Sequence, residues 1–484
     1  MGKLIRKIKA MPKGAKASIA FFLASLITRG IAYLVTPVYT RILTPQEYGQ
    51  TSLFLTWLEI FGIISMFCLS AGVFNNGMLD YKDKRDEYSF SMLILSNLIT
   101  IGVMLIVLAI YPWIKGFIGI DLPLIILMFM IFIFQPAYNF WTARQRYELE
   151  YKKMTVVTIL SAILSPTVAV ICILTTKTNR LYARLFGAEF VLITIYLIFY
   201  IILAKKGRFR VNTKYWKAAL LFNLPLIPHY LSSYLLGNSN KLLITYIIGN
   251  VANAFYSIAY SVASMGLIVW WAVNASLVPY TYESCKEKKY ENVNKIAMPV
   301  LTMFAGVCVF VIMLAPEVVA IMATPDYMEA IYVIPPIVGG VFFQVQYYLY
   351  ANVVYFYKKP KYVMIASISA VIINIVLGYI CISKFGYLAA GYVTLGCYLL
   401  QATIDYLAMR HIVKEKIYNM KYVGLLSLIV IFIALTSNML YTHAIIRYLV
   451  IGAILVVAFI FRKRIISMFK KQPIKKDEIA TQSE

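Results

Sequence analysis

The sequence predicts an all-α polytopic membrane protein with about 14 transmembrane helices. They form two pseudo-twofold-related six-helix bundles followed by a C-terminal helix pair. Three observations carry this. The 484 residues are 61% apolar and 14% charged, against about 25% charged in soluble domains. At ~20 apolar residues per span, the apolar content supplies roughly 14 to 15 spans. The cations alternate in density from loop to loop, and basic motifs recur about 205 residues apart.

The spans are expected at 17–38, 51–73, 90–111, 122–141, 155–175, 188–204, 218–247, 251–280, 296–315, 330–357, 362–382, 386–409, 422–441 and 444–461. The seventh contains Pro225, Pro228 and Gly237, so it should be long and bent. The first follows a short basic stretch, as a signal peptide would. It is full-length, contains Arg29 and lacks a small-residue cleavage site, so it reads as a retained span.

The net charge of +25 would suggest nucleic acid in a soluble chain. Here no soluble domain exists to offer a basic face, and no nucleic-acid partner is expected. Of the 46 Lys and Arg, 37 fall in one alternating set of loops. Eight fall in the other: Arg41, Lys115, Lys177, Arg180, Arg184, Lys241, Lys384 and Arg447. Arg29 is inside a span. This is the positive-inside pattern. It expects a multi-pass protein of the cytoplasmic membrane with both termini in the cytoplasm. The external loops are short, so no extracytoplasmic domain is expected.

Lys82-Asp83-Lys84-Arg85 recurs 204 residues later as Lys286-Glu287-Lys288-Lys289. Lys152-Lys153 recurs after 206 residues as Lys358-Lys359, and Gly49 corresponds to Ala254. Six spans separate the copies, so both insert the same way, about an axis along the membrane normal. The expected divisions are 1–207 and 208–412 for the two bundles, 413–461 for the added pair, and 462–484 for a cytoplasmic tail.

A charge at mid-membrane costs ~2.5–3.5 kcal/mol on insertion scales, which singles out Arg29. Ser25, Arg29 and Tyr33 share a helix face with Thr36 and Thr40. Arg29 either faces a polar cavity or pairs with a buried acid such as Glu59. His229 occupies the matching depth in span seven, with Ser232, Ser233 and Asn240 on its face. Arg41 lies 12 residues beyond Arg29, and Lys241 lies 12 beyond His229. Arg29, Ser25, Tyr33, Arg41, His229, Ser233 and Lys241 are therefore the candidate cavity residues. His229 can titrate near neutral pH, and it joins Glu59 and Asp405 as candidates for ion coupling. Asp405 and Glu189 lie near helix ends, where they can simply reach the interface.

Absences narrow the classes. No G-x-x-x-x-G-K-[ST] loop exists for ATP hydrolysis. No paired carboxylates stand on an external loop, as a membrane glycosyltransferase needs. No catalytic residues, cofactor or metal site are expected: six scattered cysteines and three histidines form no ligand spacing. Five of the cysteines lie in apolar runs, and Cys285 lies in a basic loop. The coupling ion would be H+ or Na+.

Spans one and two run from Arg29 through Pro37 and Arg41 to Pro45-Gln46-Glu47-Tyr48-Gly49. This resembles the opening of Wzx-type flippases of the multidrug/oligosaccharidyl-lipid/polysaccharide exporter superfamily. Leu224-Pro225 through Lys241, Gly249 and Tyr256-Ser257 resembles the second-half signature. The family often has Asp-Arg where this chain has Asn240-Lys241. The resemblance implies a flippase, not an enzyme. Its substrate would be a polyprenyl-pyrophosphate-linked oligosaccharide moved by alternating access for surface polysaccharide biosynthesis. Polysaccharide polymerase and glycosyltransferases are the implied protein partners, beside the lipid bilayer. A peptidoglycan-precursor lipid flippase and a cation-coupled multidrug antiporter of the same superfamily are the alternatives.

Overall fold

The computed structural model describes residues 13–460, and the expected tail 462–484 lies outside them. The described residues form 17 α-helices, no strands and a few 3-10 turns. In order these are α1 (Lys13–Ile42), α2 (Pro45–Ser65), α3 (Val73–Asp80), α4 (Arg85–Ile118), α5 (Leu122–Tyr147), α6 (Tyr151–Thr175), α7 (Arg180–Lys206), α8 (Lys214–Asn223) and α9 (Leu226–Ile247). There follow α10 (Asn250–Lys286), α11 (Tyr290–Met313), α12 (Ala315–Met322), α13 (Ile334–Phe356), α14 (Pro360–Phe385), α15 (Leu388–Val413), α16 (Met420–Thr436) and α17 (Ala444–Ile460).

Ten of the described helical segments are long and apolar enough to cross a membrane, and α8 with α9 adds a bent pair. The bend is 44° and falls at Leu224-Pro225, where proline removes a backbone donor. The expected bend of span seven is thus present. The remaining expected spans fall on α2, α15 and the shorter α17. α2 carries Glu47 and Glu59 among several hydroxyls, and α15 carries Gln401, Asp405 and Arg410, which dilutes their hydropathy. Cys285, expected in a loop, lies in the last turn of α10 and is 2% exposed.

The chain groups into two compact units. One takes the chain up to Ser261 with Val319–Val333 and Met364–Cys397. In it α6 packs on α1 and α7, α5 on α7, and α2 on α9. Its core joins Phe54, Trp57, Phe129 and Phe132. The other takes Val262–Val318, Ile334–Val363 and the chain from Tyr398. In it α13 packs on α11 and α16. Large apolar side chains such as Leu34, Trp113 and Phe190 are more than 70% exposed. A hydrocarbon solvent makes that arrangement favourable.

The start of α2 shows how the sequence sets local structure. Thr44 caps it by accepting from the Glu47 amide at 3.3 Å, and Glu47 Oε2 accepts from the Thr44 amide at 2.9 Å. Pro45 takes the first helical position, where its missing N–H costs nothing. The Pro-x-Glu part of the motif is therefore a helix start.

Candidate functional site

The rest of that motif brings α2 onto α10. A Cβ on Gly49 would lie 1.8 Å from the Asn250 carbonyl oxygen, so only glycine admits this approach. Asn253, fully buried, donates through Nδ2 to the Gly49 carbonyl at 3.0 Å. One turn on, the Ser52 and Ser257 hydroxyls meet at 2.6 Å, and Ser257 also donates to Asn253 Oδ1 at 3.2 Å.

Below this crossing lies a cavity of about 140 Å³ within the first unit. α2 supplies Tyr48, Ser52, Leu55 and Thr56, α7 supplies Arg184, α9 supplies Tyr234 and Lys241, and α10 supplies Ser257 and Ser261. The lining contains two cations and no acid. The Arg184 guanidinium lies over the Tyr39 ring at 4.0 Å and the Tyr48 ring at 5.4 Å. Its buried Nη1 has no hydrogen-bond partner. Lys241 Nζ lies 5.0 Å from the Tyr260 ring centre. Cation–π contacts hold each charge in place without neutralising it. The cavity therefore presents positive potential beside hydroxyl groups, which suits a phosphate or pyrophosphate. Its volume is roughly that of four or five waters, so as it stands it takes a phosphate-sized group rather than an oligosaccharide.

Of the residues expected at a cavity, Lys241 lines it. Arg29 and Ser25 have exposed side chains, Tyr33 is half-buried, and none of the three is in the lining. No ion pair joins Arg29 to Glu59 among the described residues, and Glu59 is itself exposed. Arg41 instead donates to the Pro37 carbonyl at 2.8 Å and the Ile321 carbonyl at 3.1 Å. It satisfies helix C-terminal carbonyls there. His229 is half-buried with an unpartnered Nδ1, and Ser233 is exposed. Asn240 donates to Thr394 Oγ1 at 2.9 Å, beside the Ser239–Asn374 bond of 2.7 Å. That network ties α9 to α14 and α15.

Glu189 and Asp405 do not reach an interface: they are 7% and 0% exposed. Position along a helix gives depth, but rotation about its axis decides burial, and both acids face inward.

Sequence reasoning missed Arg184, which it counted as an external-loop charge. Arg180 and Arg184 both sit in the opening turns of α7. Cations there oppose the helix dipole, so that pair was the available signal.

The comparisons agree with this fold. Residues 15–285 match the family model described as polysaccharide biosynthesis protein. A curated relative, the Lsg locus putative protein 1 of Haemophilus influenzae, is 23% identical over 168 residues. That covers 34% of this chain, which spans 42% of the relative's length. Among solved structures, the lipid II flippase MurJ in an inward closed conformation superposes with a TM-score of 0.65 at 14% identity, covering 92% of this chain and all of that one. An inward-facing multidrug resistance MATE family transporter of the MOP superfamily gives 0.63 at 14% identity, covering 80% and 94%. These likenesses concern the fold. With its match covering more than half of the residues, the chain belongs to the polysaccharide biosynthesis protein family.

Proposed function

We propose that this protein flips a polyprenyl-pyrophosphate-linked oligosaccharide repeat unit across the cytoplasmic membrane, as a step in making surface polysaccharide. The observation that carries the reading is the cavity that holds Arg184 and Lys241 without an acid. The barrier to flipping is the anionic headgroup, because an unpaired charge in hydrocarbon is prohibitive. Two held cations lower that barrier. Ser52, Ser257, Ser261, Thr56 and the tyrosines offer partners to phosphate oxygens and sugar hydroxyls. The polyprenyl tail can stay in lipid throughout.

Alternating access would present the headgroup first to the cytoplasm, where both termini are placed, and then to the far side. Glycosyltransferases would supply the substrate and a polymerase would consume it. The unpaired cations disfavour the multidrug-cation alternative. A peptidoglycan-precursor lipid has the same pyrophosphate, so substrate choice separates it.

The test is binding by the purified protein in nanodiscs. Polyprenyl pyrophosphate should bind more tightly than the monophosphate, and the neutral polyprenol should bind weakly. Equal binding of all three would remove the anion site. Competition between a repeat-unit lipid and a peptidoglycan precursor then decides between the two flippase readings.

A further inference from the structure

The second compact unit holds an acid that the cavity does not use. Asp405 lies on α15 one turn after Gln401, on the same face. Its side chain is 0% exposed, and neither carboxylate oxygen has a hydrogen-bond partner. Gln401 is 2% exposed, and its Oε1 also lacks a donor. Both residues belong to the second unit.

The surroundings bring no compensating charge. From α13, Tyr347 is the ionisable group in electrostatic contact. Arg410 and His411 follow on α15 itself, and neither forms an ion pair with Asp405. Further along, the Gln346–Ser427 bond of 2.8 Å and the Asn352–Asn274 bond of 2.9 Å satisfy other polar groups of this unit. Asp405 and Gln401 are left with three acceptor oxygens and no donor.

A bare buried carboxylate costs several kcal/mol. A protein keeps one when something neutralises it. Three oxygens around one negative charge match a proton or a Na+ ion. They fall short of the six to eight oxygens that Ca2+ takes. We propose that Asp405 and Gln401 form a monovalent-cation site that is filled while the carboxylate is buried, and that exchange of this cation drives the transport cycle. The second half of the proposal rests on the transport reading above. Occupancy of the site does not.

The test uses the full-length protein in nanodiscs and proteoliposomes, as wild type, Asp405→Asn and Gln401→Leu. The first measurement is radioactive Na+ binding together with a potentiometric proton titration. The asparagine variant should bind about one Na+ fewer per chain, or one proton fewer, and the two arms distinguish the ions. The leucine variant keeps the carboxylate, so it should retain the cation with weaker affinity, which judges the site if the asparagine variant does not fold. Identical binding by wild type and Asp405→Asn overturns the site.

The second measurement is translocation of a lipid-linked oligosaccharide with and without a gradient of that ion. The wild type should be accelerated by the gradient and Asp405→Asn should not, while ungraded exchange persists in both. Full acceleration in the variant overturns the coupling. A wild type that binds the cation but moves no lipid-linked oligosaccharide overturns the transport reading alone.

Discussion

The hydroxyls of Ser52 and Ser257 share a hydrogen bond of 2.6 Å, and the two residues are 205 positions apart. That separation is the offset at which the basic motifs repeat. A residue that touches its own counterpart lies where a twofold relation between copies would pass. The cavity opens directly below this pair, so its walls come from both copies: α2 and α7 from one, α9 and α10 from the other.

The crossing that creates this pair depends on Gly49. A Gly49→Ala substitution drives a methyl group into the Asn250 carbonyl. Overpacking of this kind costs ~1–3 kcal/mol, and a backbone neighbour cannot move aside. The variant should melt at a clearly lower temperature in detergent and lose transport. Unchanged melting would show that α2 and α10 do not need this approach.

Arg184 should require its planar group and not merely its charge. It stacks on two tyrosines, a geometry that lysine does not reproduce. Arg184→Lys is expected to retain part of the substrate affinity. Arg184→Ala should lose roughly 10- to 100-fold, the equivalent of ~1.5–3 kcal/mol for a charge-assisted hydrogen bond. Equal affinity of wild type and both variants would take Arg184 out of the anion site.

A third prediction concerns the C-terminal helices. Arg447 is 4% exposed and donates to the Met313 carbonyl and to Glu317 Oε2, both at 2.8 Å. Tyr448 donates to Glu317 Oε1 at 2.9 Å. Partial burial pushes the Glu317 carboxyl up, but the hydrogen bonds from Arg447, its own backbone and Tyr448 outweigh this and hold it below its ordinary 4.5. A carboxyl lowered by folding contributes stability above its unfolded value, and loses it as pH falls through the folded one. The melting temperature of the wild type should therefore drop below about pH 4.5 more steeply than that of Glu317→Gln. Parallel curves for the two proteins would contradict the clamp.

The helices were legible because lipid imposes a coarse rule that composition and loop charge both report. The bend at Pro225 and the twofold repeat were legible for the same reason. Side-chain direction was not. Arg184 and Arg447 looked like topogenic charges, yet one lines a cavity and the other is buried against Glu317. Asp405 and Glu189 looked interfacial by depth alone. Lys241 was found because it mirrors Arg41, yet Arg41 itself caps backbone carbonyls. A repeat gives paired positions similar surroundings in sequence, but each packs against a different partner.

The most direct measurement is translocation of a polyprenyl-pyrophosphate-linked oligosaccharide into proteoliposomes holding the wild type or the Arg184→Ala, Lys241→Met double variant. The wild type should move the lipid, and the correctly folded double variant should move it at the protein-free rate. Wild-type transport by the double variant, or none by the wild type when the native repeat-unit lipid is supplied, would contradict the account.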